Sequence, residues 1–240
     1  MRVAILSDIH ANLVALDAVL AAAGPVDAVW HLGDVVGYGP DPNGVVRRLE
    51  EIGAIGVRGN HDAAAVGGSE IEWFNPDARR AMEWTREVLA PDARAWLEAL
   101  PERRTEAGVE LVHGSLRQPI WEYVTSTSTA GASLDLMAGA LALHGHTHVP
   151  VAWLDVEGEV ELLRRRDGDV LELGARRALV NPGSVGQPRD GTPTASSLLL
   201  DPEAGRMEWR RAAYDIGAVQ QAMRDARLPT FLVERLVSGT

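Results

Sequence analysis

Five short apolar runs, each followed by a polar cluster, constrain the fold of this chain more than any other feature of its sequence. The runs are rich in Val, Ile and Leu, which is typical of buried strands, and they cover residues 3–6, 28–32, 55–57, 109–112 and 141–143. In an open α/β sheet, the loops that leave the strands gather at one edge on a rigid frame. We therefore expect the five polar clusters to meet at one site.

The clusters contain seven side chains of the kinds that bind metal ions, namely Asp8, His10, Asp34, Asn60, His113, His146 and His148. Two ions about 3.5–4 Å apart need a shared ligand, and a carboxylate with two oxygens can serve both ions. Asp34 is therefore our candidate for the bridge. We expect Asp8, His10 and His148 to complete the shell of one ion, and Asn60, His113 and His146 to complete that of the other.

Imidazole, carboxylate and amide ligands without any thiolate suit Mn, Fe, Co, Ni or Zn better than Cu(I), Mg or Ca. We expect two divalent transition-metal ions, with Mn as the first choice and Fe, Ni, Co or Zn as alternatives. Taken singly, each residue has an ordinary alternative: Asp8 or Asp34 as a helix cap or turn residue, and any one histidine as a buried or surface residue. Seven suitable side chains in five clusters favour the metal site.

The motifs Asp-x-His, Gly-Asp-x-x-Gly, Gly-Asn-His-Asp, His-Gly and Gly-His-x-His follow one another along the chain. In this order they resemble the calcineurin-like metallophosphoesterase superfamily, and residues 113–115, 122–123 and 181–191 resemble its small bacterial and archaeal phosphodiesterase-type members. The resemblance runs from residue 3 to roughly residue 200. It implies an α/β fold in which two packed mixed β-sheets are flanked by helices, as a four-layer α/β/β/α sandwich.

The resemblance also implies a dinuclear metal-dependent phosphoric ester hydrolase, in which a hydroxide that bridges the two ions attacks phosphorus. His61 matches the family position that faces the leaving oxygen, so we predict that it is the general acid; a purely structural role is the alternative. Asp62 is predicted to orient His61 or its loop. Asn60 is predicted to contact the substrate as well as a metal ion.

Arg189 follows a loop rich in Gly and Pro, and its guanidinium is suited to bidentate contact with a phosphate. We predict that Arg189 binds the substrate, with a surface salt bridge as the equal alternative.

We expect the substrate to be a small phosphodiester, such as a nucleotide or another organic diester. A phosphomonoester or a nucleotide pyrophosphate is the alternative. Residues 33–38 lack the Asp-Arg-Gly continuation of protein serine/threonine phosphatases and symmetrical dinucleoside tetraphosphatases, which disfavours both classes. The same fold serves as a protein-binding scaffold in the retromer subunit, but there the ligand positions are altered, whereas here all of them are filled. The sequence does not determine the oligomeric state.

All 23 basic residues are arginine, and the chain contains neither lysine nor cysteine. This excludes a Walker A loop, a lysine Schiff base, thiol nucleophiles, disulfides and thiolate metal sites. A formal net charge of −11 disfavours nonspecific nucleic-acid binding, which normally requires a basic surface. No stretch approaches the roughly 18–20 apolar residues of a membrane span, and no signal-peptide layout is present. We expect a cytoplasmic protein without membrane contact that forms a single domain over residues 1–240.

Up to about residue 100, strands and helices alternate. Helices are predicted after Asn12 as far as Gly24, from near Pro42, and after Asn75. Beyond residue 109 the strands follow one another more closely, which favours antiparallel pairing, and residues 216–226 are predicted to form a terminal helix.

Several segments carry weaker predictions. Residues 125–133 are predicted to be a short flexible loop, with Ser133 as the cap of a helix after it. Trp73 and Phe74 are candidates for a lid over the metal site, although aromatic residues at this spacing are more often part of a core. His31 and His144 are expected to point away from the ligands and to be buried with hydrogen bonds.

Overall fold

The computed structural model describes residues 1–240, except for the side chains of Ser69 and Glu70. The strands are β1 Val3–Leu6, β2 Ala28–His31, β3 Ile55–Gly56, β4 Arg103–Glu106, β5 Val109–Val112, β6 Leu141–Leu143, β7 Val151–Val156, β8 Glu159–Arg164, β9 Val170–Glu172, β10 Arg177–Asn181, β11 Ala195–Asp201 and β12 Arg206–Ala212. The helices are α1 Leu13–Ala23, α2 Pro42–Glu51, α3 Asn60–Ala65, α4 Pro76–Val88, α5 Pro91–Glu98, α6 Thr127–Leu134, α7 Ile216–Asp225 and α8 Thr230–Glu234, with short 3-10 helices at Ser69–Trp73 and Arg235–Val237.

The strands form two mixed six-stranded sheets. The first has the order β3-β2-β1-β11-β12-β9, and the second has the order β4-β5-β6-β10-β7-β8. In the first sheet β1, β2 and β3 are parallel, while β11 runs antiparallel to β1. In the second sheet β5, β6 and β10 are also parallel to one another, and the remaining pairs are antiparallel. The expectation of antiparallel pairing after residue 109 is therefore only partly correct.

The two sheets pack face to face through an apolar layer. Side chains alternate along each strand, so Val3 and Ile5 of β1 enter the layer between the sheets together with Trp30 and Trp209. Ala4 and Leu6 point the other way, into the core beneath α1 and α2. Helix α6 covers the outer face of the second sheet. The predicted four-layer α/β/β/α sandwich, with two mixed sheets flanked by helices, is confirmed.

Local sequence signals fix the helices of the first half. The side-chain oxygens of Asn12, Asp41 and Asn75 accept hydrogen bonds from backbone N–H groups in the first turns of α1, α2 and α4. Such caps satisfy donors that the helix itself leaves free. Proline at the first position of α2 and α4 adds a preset backbone angle. The predicted helices are confirmed at these positions, and the predicted terminal helix corresponds to α7.

The prediction for residues 125–133 is wrong. These residues form most of α6, which is capped by Ser126, and Ser133 lies inside the helix, where its hydroxyl accepts a hydrogen bond from the backbone of Leu116. Serine, threonine and glycine have modest helix propensity, which is why the segment reads as a loop. Ala130 and Leu134 pack on the second sheet, so tertiary burial stabilises the helix. Among the described residues, no helix is long and apolar enough to cross a membrane.

His31 is fully buried at the end of β2, where its ring lies 5.6 Å from that of Trp96. Contrary to expectation, neither ring nitrogen has a hydrogen-bond partner among the described residues. Burial, with a smaller contribution from the charge of Arg104, lowers the pKa of His31 from 6.5 to about 3. His31 is therefore neutral in the folded protein at neutral pH.

This lowered pKa predicts acid sensitivity. Between pH 6.5 and 3 the unfolded chain binds a proton at His31 that the folded protein does not, so the free energy of unfolding falls as the pH falls, by up to about 1.4 kcal/mol per pH unit. We expect His31→Leu to show a flatter dependence between pH 6.5 and pH 4 in chemical denaturation. Leu49→Ala, which alters the same core without removing a titrating group, should shift the whole curve instead. Equal slopes for wild type and His31→Leu would contradict the prediction.

Candidate metal centre

All seven candidate ligands lie at or just after the carboxyl ends of strands in the two sheets. They follow the ends of β1, β2 and β3 in the first sheet and of β5 and β6 in the second. Because these strands are parallel within each sheet, their loops converge on one edge of the sandwich. Every one of the seven residues is at most 4% exposed. The sequence expectation of a single meeting point agrees with this arrangement.

Backbone conformation distinguishes the ligand positions. Five of the seven adopt the left-handed region, with φ between 49° and 67°, and these are Asp8, His10, Asp34, His146 and His148. Residues other than glycine rarely adopt this region, and each instance costs on the order of 1 kcal/mol. The surrounding structure therefore holds these backbones in a strained conformation, which is a common property of functional sites.

Glycine allows the loop between β3 and α3 to approach Asp34 closely. A Cβ atom on Gly59 would lie 2.1 Å from Asp34 Oδ1 and 2.4 Å from the Asp34 backbone nitrogen. Because Gly59 has an ordinary φ of −96°, its requirement is purely steric. The glycine of the Gly-Asn-His-Asp motif therefore provides room for the carboxylate of the Gly-Asp-x-x-Gly motif.

The ligand atoms form two groups that share Asp34. The first group consists of Asp8, His10, Asp34 and His148, and the second contains Asp34, His113 and His146. Asn60 adjoins the second group, since its Oδ1 lies 3.1 Å from His113 Nε2. These are the two sets that the sequence suggested.

One oxygen of Asp34 faces both groups. Oδ2 lies 3.3 Å from His113 Nε2 in the second group and 3.7 Å from His10 Nε2 in the first. Oδ1 instead accepts a hydrogen bond of 2.8 Å from the backbone N–H of His61. The sequence argument assigned one carboxylate oxygen to each ion, whereas the geometry presents a single oxygen to both.

Backbone carbonyls fix the orientation of the imidazoles in the first group. His10 Nδ1 lies 3.2 Å from the carbonyl oxygen of Val36, and His148 Nδ1 lies 2.6 Å from that of Gln187. A carbonyl can only accept, so in neutral rings these nitrogens carry the hydrogens. The two Nε2 atoms, which lie 3.2 Å apart, therefore present lone pairs to each other. Facing lone pairs repel unless a proton or a cation lies between them.

The second group repeats this arrangement. His113 Nδ1 lies 2.8 Å from the carbonyl of Leu32, and His146 Nε2 lies 3.3 Å from that of Trp121. The opposite nitrogens, His113 Nε2 and His146 Nδ1, are 3.0 Å apart. An outer hydrogen bond that fixes the tautomer is characteristic of metal-binding histidine. In their neutral forms, the four imidazoles thus present unprotonated nitrogens to the centre.

The spacing of these atoms fits a coordination shell. Ligand atoms about 2.1 Å from an ion lie about 3.0 Å apart along the edge of an octahedron and about 3.4 Å apart along that of a tetrahedron. Contacts within the two groups include 3.0 Å for His113 and His146 and 3.7 Å for His10 and Asp34, and all ligand atoms of a group lie within 4.8 Å of one another. The nitrogen and oxygen donors therefore fit divalent transition-metal ions.

Negative charge accumulates at the centre. Asp8, Asp34 and Asp62 are all at most 1% exposed, and burying carboxylates without a compensating cation is costly. Burial, together with the charge of Asp34, raises the pKa of Asp8 and of Asp62 to about 7. For Asp34, burial acts in the same direction, but the charges of the surrounding histidines, that of His113 first, and a hydrogen bond from His113 together outweigh it and hold the pKa well below its usual range.

The pKa values of the histidines respond to the same balance. Burial lowers the pKa values of His10, His146 and His148 well below their usual value, so these rings are neutral. Burial acts on His113 as well, but the charge and hydrogen bond of Asp34, together with the charge of Asp8 and the carbonyl of Leu32, outweigh it and raise the pKa to about 9. Without metal, a proton on His113 therefore balances part of the charge of the carboxylates.

His61 follows Asn60 in α3 and lines a cavity beside the centre. Its ring lies 4.8 Å from that of His10 and 4.4 Å from that of Tyr38, measured between centroids. Its Nδ1 is buried without a hydrogen-bond partner. Burial lowers the pKa of His61 to about 4, against the opposing pull of Asp34.

Asp62 holds the loop that carries Asp34. Its Oδ1 accepts hydrogen bonds from the backbone N–H groups of Val35 and Val36 at 2.8 and 3.1 Å, and its Oδ2 accepts one from Gly59 at 3.0 Å. The sequence predicted that Asp62 orients His61 or the loop of His61. Asp62 contacts that loop only through Gly59, and its other two hydrogen bonds hold the loop of Asp34.

Arg189 lies beside the first group. Its backbone N–H donates to the carbonyl of His148, and its Nη2 donates to Gln187 Oε1 at 2.9 Å. The guanidinium carbon lies 5.7 Å from the ring centroid of Tyr38. Among the described side chains the ion pairs do not include Arg189, and the neighbouring Asp190 pairs with Arg211. A guanidinium that is not neutralised by a carboxylate therefore lies near the candidate ligands.

A group of aromatic residues beside the centre was largely missed by the sequence reasoning. Tyr38 packs against His10 at 4.5 Å between centroids, and Tyr123 stacks on His146 at 3.7 Å. Trp73, a candidate for a lid or a core residue, is 72% exposed and contacts Trp121 edge to face. The only sequence signal for these residues was their position next to the motifs.

Comparison with known proteins agrees with the fold and the site. A family model described as the calcineurin-like phosphoesterase superfamily domain matches residues 1–205. A metallophosphoesterase from Sphaerobacter thermophilus of known crystal structure is 44% identical, with a TM-score of 0.92 over 100% of this chain and 99% of that one. An uncharacterised protein of Methanocaldococcus jannaschii is 34% identical over 99% of this chain and 98% of its own length. Phosphodiesterase YfcE of Escherichia coli is 28% identical over 83% of this chain and 87% of its own length.

Fold, site and comparisons together define a phosphoesterase with a cluster of candidate metal ligands. The chain belongs to the calcineurin-like phosphoesterase superfamily. The family resemblance inferred from the five motifs is confirmed, as is the assignment to a class of hydrolases.

Gly59→Ala tests the contact between the two motifs. The added Cβ would displace Asp34 by steric overlap, so we expect the affinity for Mn²⁺ to fall by about 10- to 100-fold, as when the support of a ligand is lost. Calorimetric titration of metal-free protein measures the change, and circular dichroism checks folding. Gly217→Ala lies in α7, where the added Cβ would be in ordinary contact with Asp215 Oδ1 at 3.4 Å; it is the matched control and should bind normally. Unchanged affinity in Gly59→Ala would disprove the steric role.

Proposed function

We propose that this protein is a dinuclear metal-dependent phosphodiesterase that acts on a small organic phosphodiester. The observation that carries the proposal is the pair of ligand groups that share Asp34. Four imidazoles and two carboxylates converge there, and the opposed lone pairs of the rings require positive charge between them. Mn²⁺ is our first choice of metal, and Fe, Ni, Co and Zn ions also suit the donors.

Divalent ions at this position would lower the pKa of water and neutralise phosphoryl oxygens. The protein's own residues have a different task, which is to position the substrate and to handle the leaving group. We assign Asp8, His10, Asp34 and His148 to one ion, and Asp34, Asn60, His113 and His146 to the other. Because backbone hydrogen bonds hold Asp34 and Asp62 in place, the centre is organised before any substrate binds.

His61 is our candidate for the residue that protonates the leaving oxygen. Its ring lies 4.8 Å from that of His10 in the first group, and it lines the cavity together with Asn60 and His146 of the second group. Although burial keeps the ring neutral at pH 7, a bound phosphodiester brings negative charge, and nearby negative charge raises the pKa of an imidazole. Proton donation to a leaving alkoxide typically contributes about 10²–10⁴-fold to the rate.

Arg189 is our candidate for an additional phosphate contact. Its charge lies close enough to disfavour the protonated form of His148. A guanidinium offers several donors in a planar fork that matches two phosphoryl oxygens. We propose that Arg189 binds a non-bridging oxygen from the side of the first group.

The alternative of a protein-binding scaffold is disfavoured by the burial of the ligands. Such a role places no demand on buried carboxylates, and Asp8 and Asp34 would then remain in the interior at an energetic cost. A phosphomonoesterase remains the alternative reaction, and a direct comparison of substrates distinguishes it from a diesterase.

The proposal is tested by loading metal-free protein with Mn²⁺ and comparing bis(p-nitrophenyl) phosphate with p-nitrophenyl phosphate. We expect two bound ions per chain by elemental analysis and a higher kcat/KM for the diester. Asp34→Asn keeps a residue that tolerates the left-handed backbone but lowers the charge at the shared position, so it should lose both ions and the activity together. Two bound ions in wild type without turnover would support the scaffold, and a full pair of ions in Asp34→Asn would refute the shared ligand.

The role of His61 predicts a dependence on the leaving group. Diphenyl phosphate has a poorer leaving group than bis(p-nitrophenyl) phosphate, so it depends more on protonation. We expect His61→Ala to slow diphenyl phosphate by about 10²-fold or more and the nitrophenyl ester much less. Metal content should stay at the wild-type level, because the His61 side chain belongs to neither ligand group. Equal slowing of both esters would exclude proton donation.

A further inference from the structure

The cavity beside His61 is lined by a large share of the aromatic residues of the chain. The chain has only 7 Trp, 3 Tyr and 2 Phe residues. Five of these line this one cavity of about 210 Å³, and they are Tyr38, Trp73, Phe74, Trp121 and Tyr123. Aromatic residues in such numbers give a binding surface for flat apolar groups. The remaining lining includes Asn60, His61 and His146, so the cavity adjoins the second ligand group.

Three separate segments bring the rings together, and Tyr38 comes from the connection between β2 and α2. Trp73 and Phe74 come from the connection between α3 and α4, and Trp121 and Tyr123 come from the connection between β5 and α6. The rings of Trp73 and Trp121 meet edge to face at 5.1 Å between centroids, and Phe74 lies 4.6 Å from His61. Edge-to-face contact holds a ring in a defined orientation. Trp73 is nevertheless 72% exposed and Tyr123 49% exposed.

Large exposed aromatic surfaces next to a reactive centre indicate a ligand that covers them. We propose that this cavity binds a planar aromatic ring, a nucleobase or an aryl group, carried by the leaving side of the substrate. The inference rests on the proposed phosphodiesterase activity, because the leaving side is the substituent whose oxygen His61 is proposed to protonate. A substituent on an oxygen next to His61 would enter the space that Phe74, Trp73 and Trp121 enclose.

The size and charge of the cavity narrow the class of substrate further. Its volume of about 210 Å³ is smaller than the roughly 300–1,000 Å³ of pockets for drug-sized ligands, so it accommodates one ring system. The structure describes every residue that lines the cavity, and these residues include neither arginine nor a carboxylate. A leaving group with further phosphates would need a cation there. The cavity therefore fits an uncharged aromatic alcohol or nucleoside rather than the leaving part of a nucleotide pyrophosphate.

The test compares two methyl phosphodiesters with leaving groups of similar size and acidity, benzyl and cyclohexylmethyl. Only the benzyl ring is flat. Stacking of a ring on an aromatic side chain should raise kcat/KM for benzyl alcohol release by about 5- to 100-fold over cyclohexylmethanol release in Mn²⁺-loaded wild type. In Trp73→Ala this ratio should fall towards one, and in Trp73→Phe it should be largely restored. Phe231→Ala removes a 58% exposed aromatic residue outside the cavity and should keep the wild-type ratio.

A ratio near one in wild type, or an unchanged ratio in Trp73→Ala, would overturn the proposal. Hydrolysis itself is tested separately by the nitrophenyl diester, so loss of all turnover would count against the proposed function and not against the aromatic site. If no turnover is seen, a binding measurement still tests the aromatic site. Saturation-transfer NMR should detect adenosine bound to wild type and to Phe231→Ala. The adenosine signal should be weaker with Trp73→Ala. Ribose alone should give no signal. Equal adenosine signals from wild type and Trp73→Ala would refute the role of Trp73.

Discussion

The structure depends on the convergence of imidazole lone pairs and buried carboxylates on one small volume. Backbone carbonyls hold the outer nitrogens of four histidines, so the inner nitrogens face one another at 3.0 to 3.2 Å. Asp34 lies between the two ligand groups and presents a single oxygen to both. Neither arrangement is favourable without positive charge. Left-handed backbones at five ligand positions and the close contact between Gly59 and Asp34 hold these groups in place.

The sandwich architecture makes this convergence possible. Parallel strands in both sheets end at the same edge, and the layer of apolar side chains between the sheets fixes the distance between their loops. Asp62 then ties the loop after β2 to the start of α3 through three backbone hydrogen bonds. Because five of the ligand backbones are left-handed, the loops bend sharply enough to bring ligands from separate strands within coordination distance.

Under the proposed function, the aromatic cavity gives the centre a basis for selectivity. Its rings come from three connections, after β2, α3 and β5, and they border Asn60 and His146 of the second group of candidate ligands. Arg189 approaches the centre through the first group, whereas the aromatic rings adjoin the second. A substrate that spans the centre would place its phosphate near the guanidinium and its leaving group among the rings.

The sequence by itself determined which residues meet and much of the local structure. Apolar runs and caps such as Asn12 and Asn75 are local signals, and the order of the five motifs identified the family and the two ligand sets. Only the tertiary structure decided the rest, because it depends on contacts between distant segments. Packing on the second sheet makes a helix of residues 127–134, and parallel pairing joins β5, β6 and β10. Spatial proximity of Trp73 and Trp121, which are far apart in the chain, forms the cavity that no motif records.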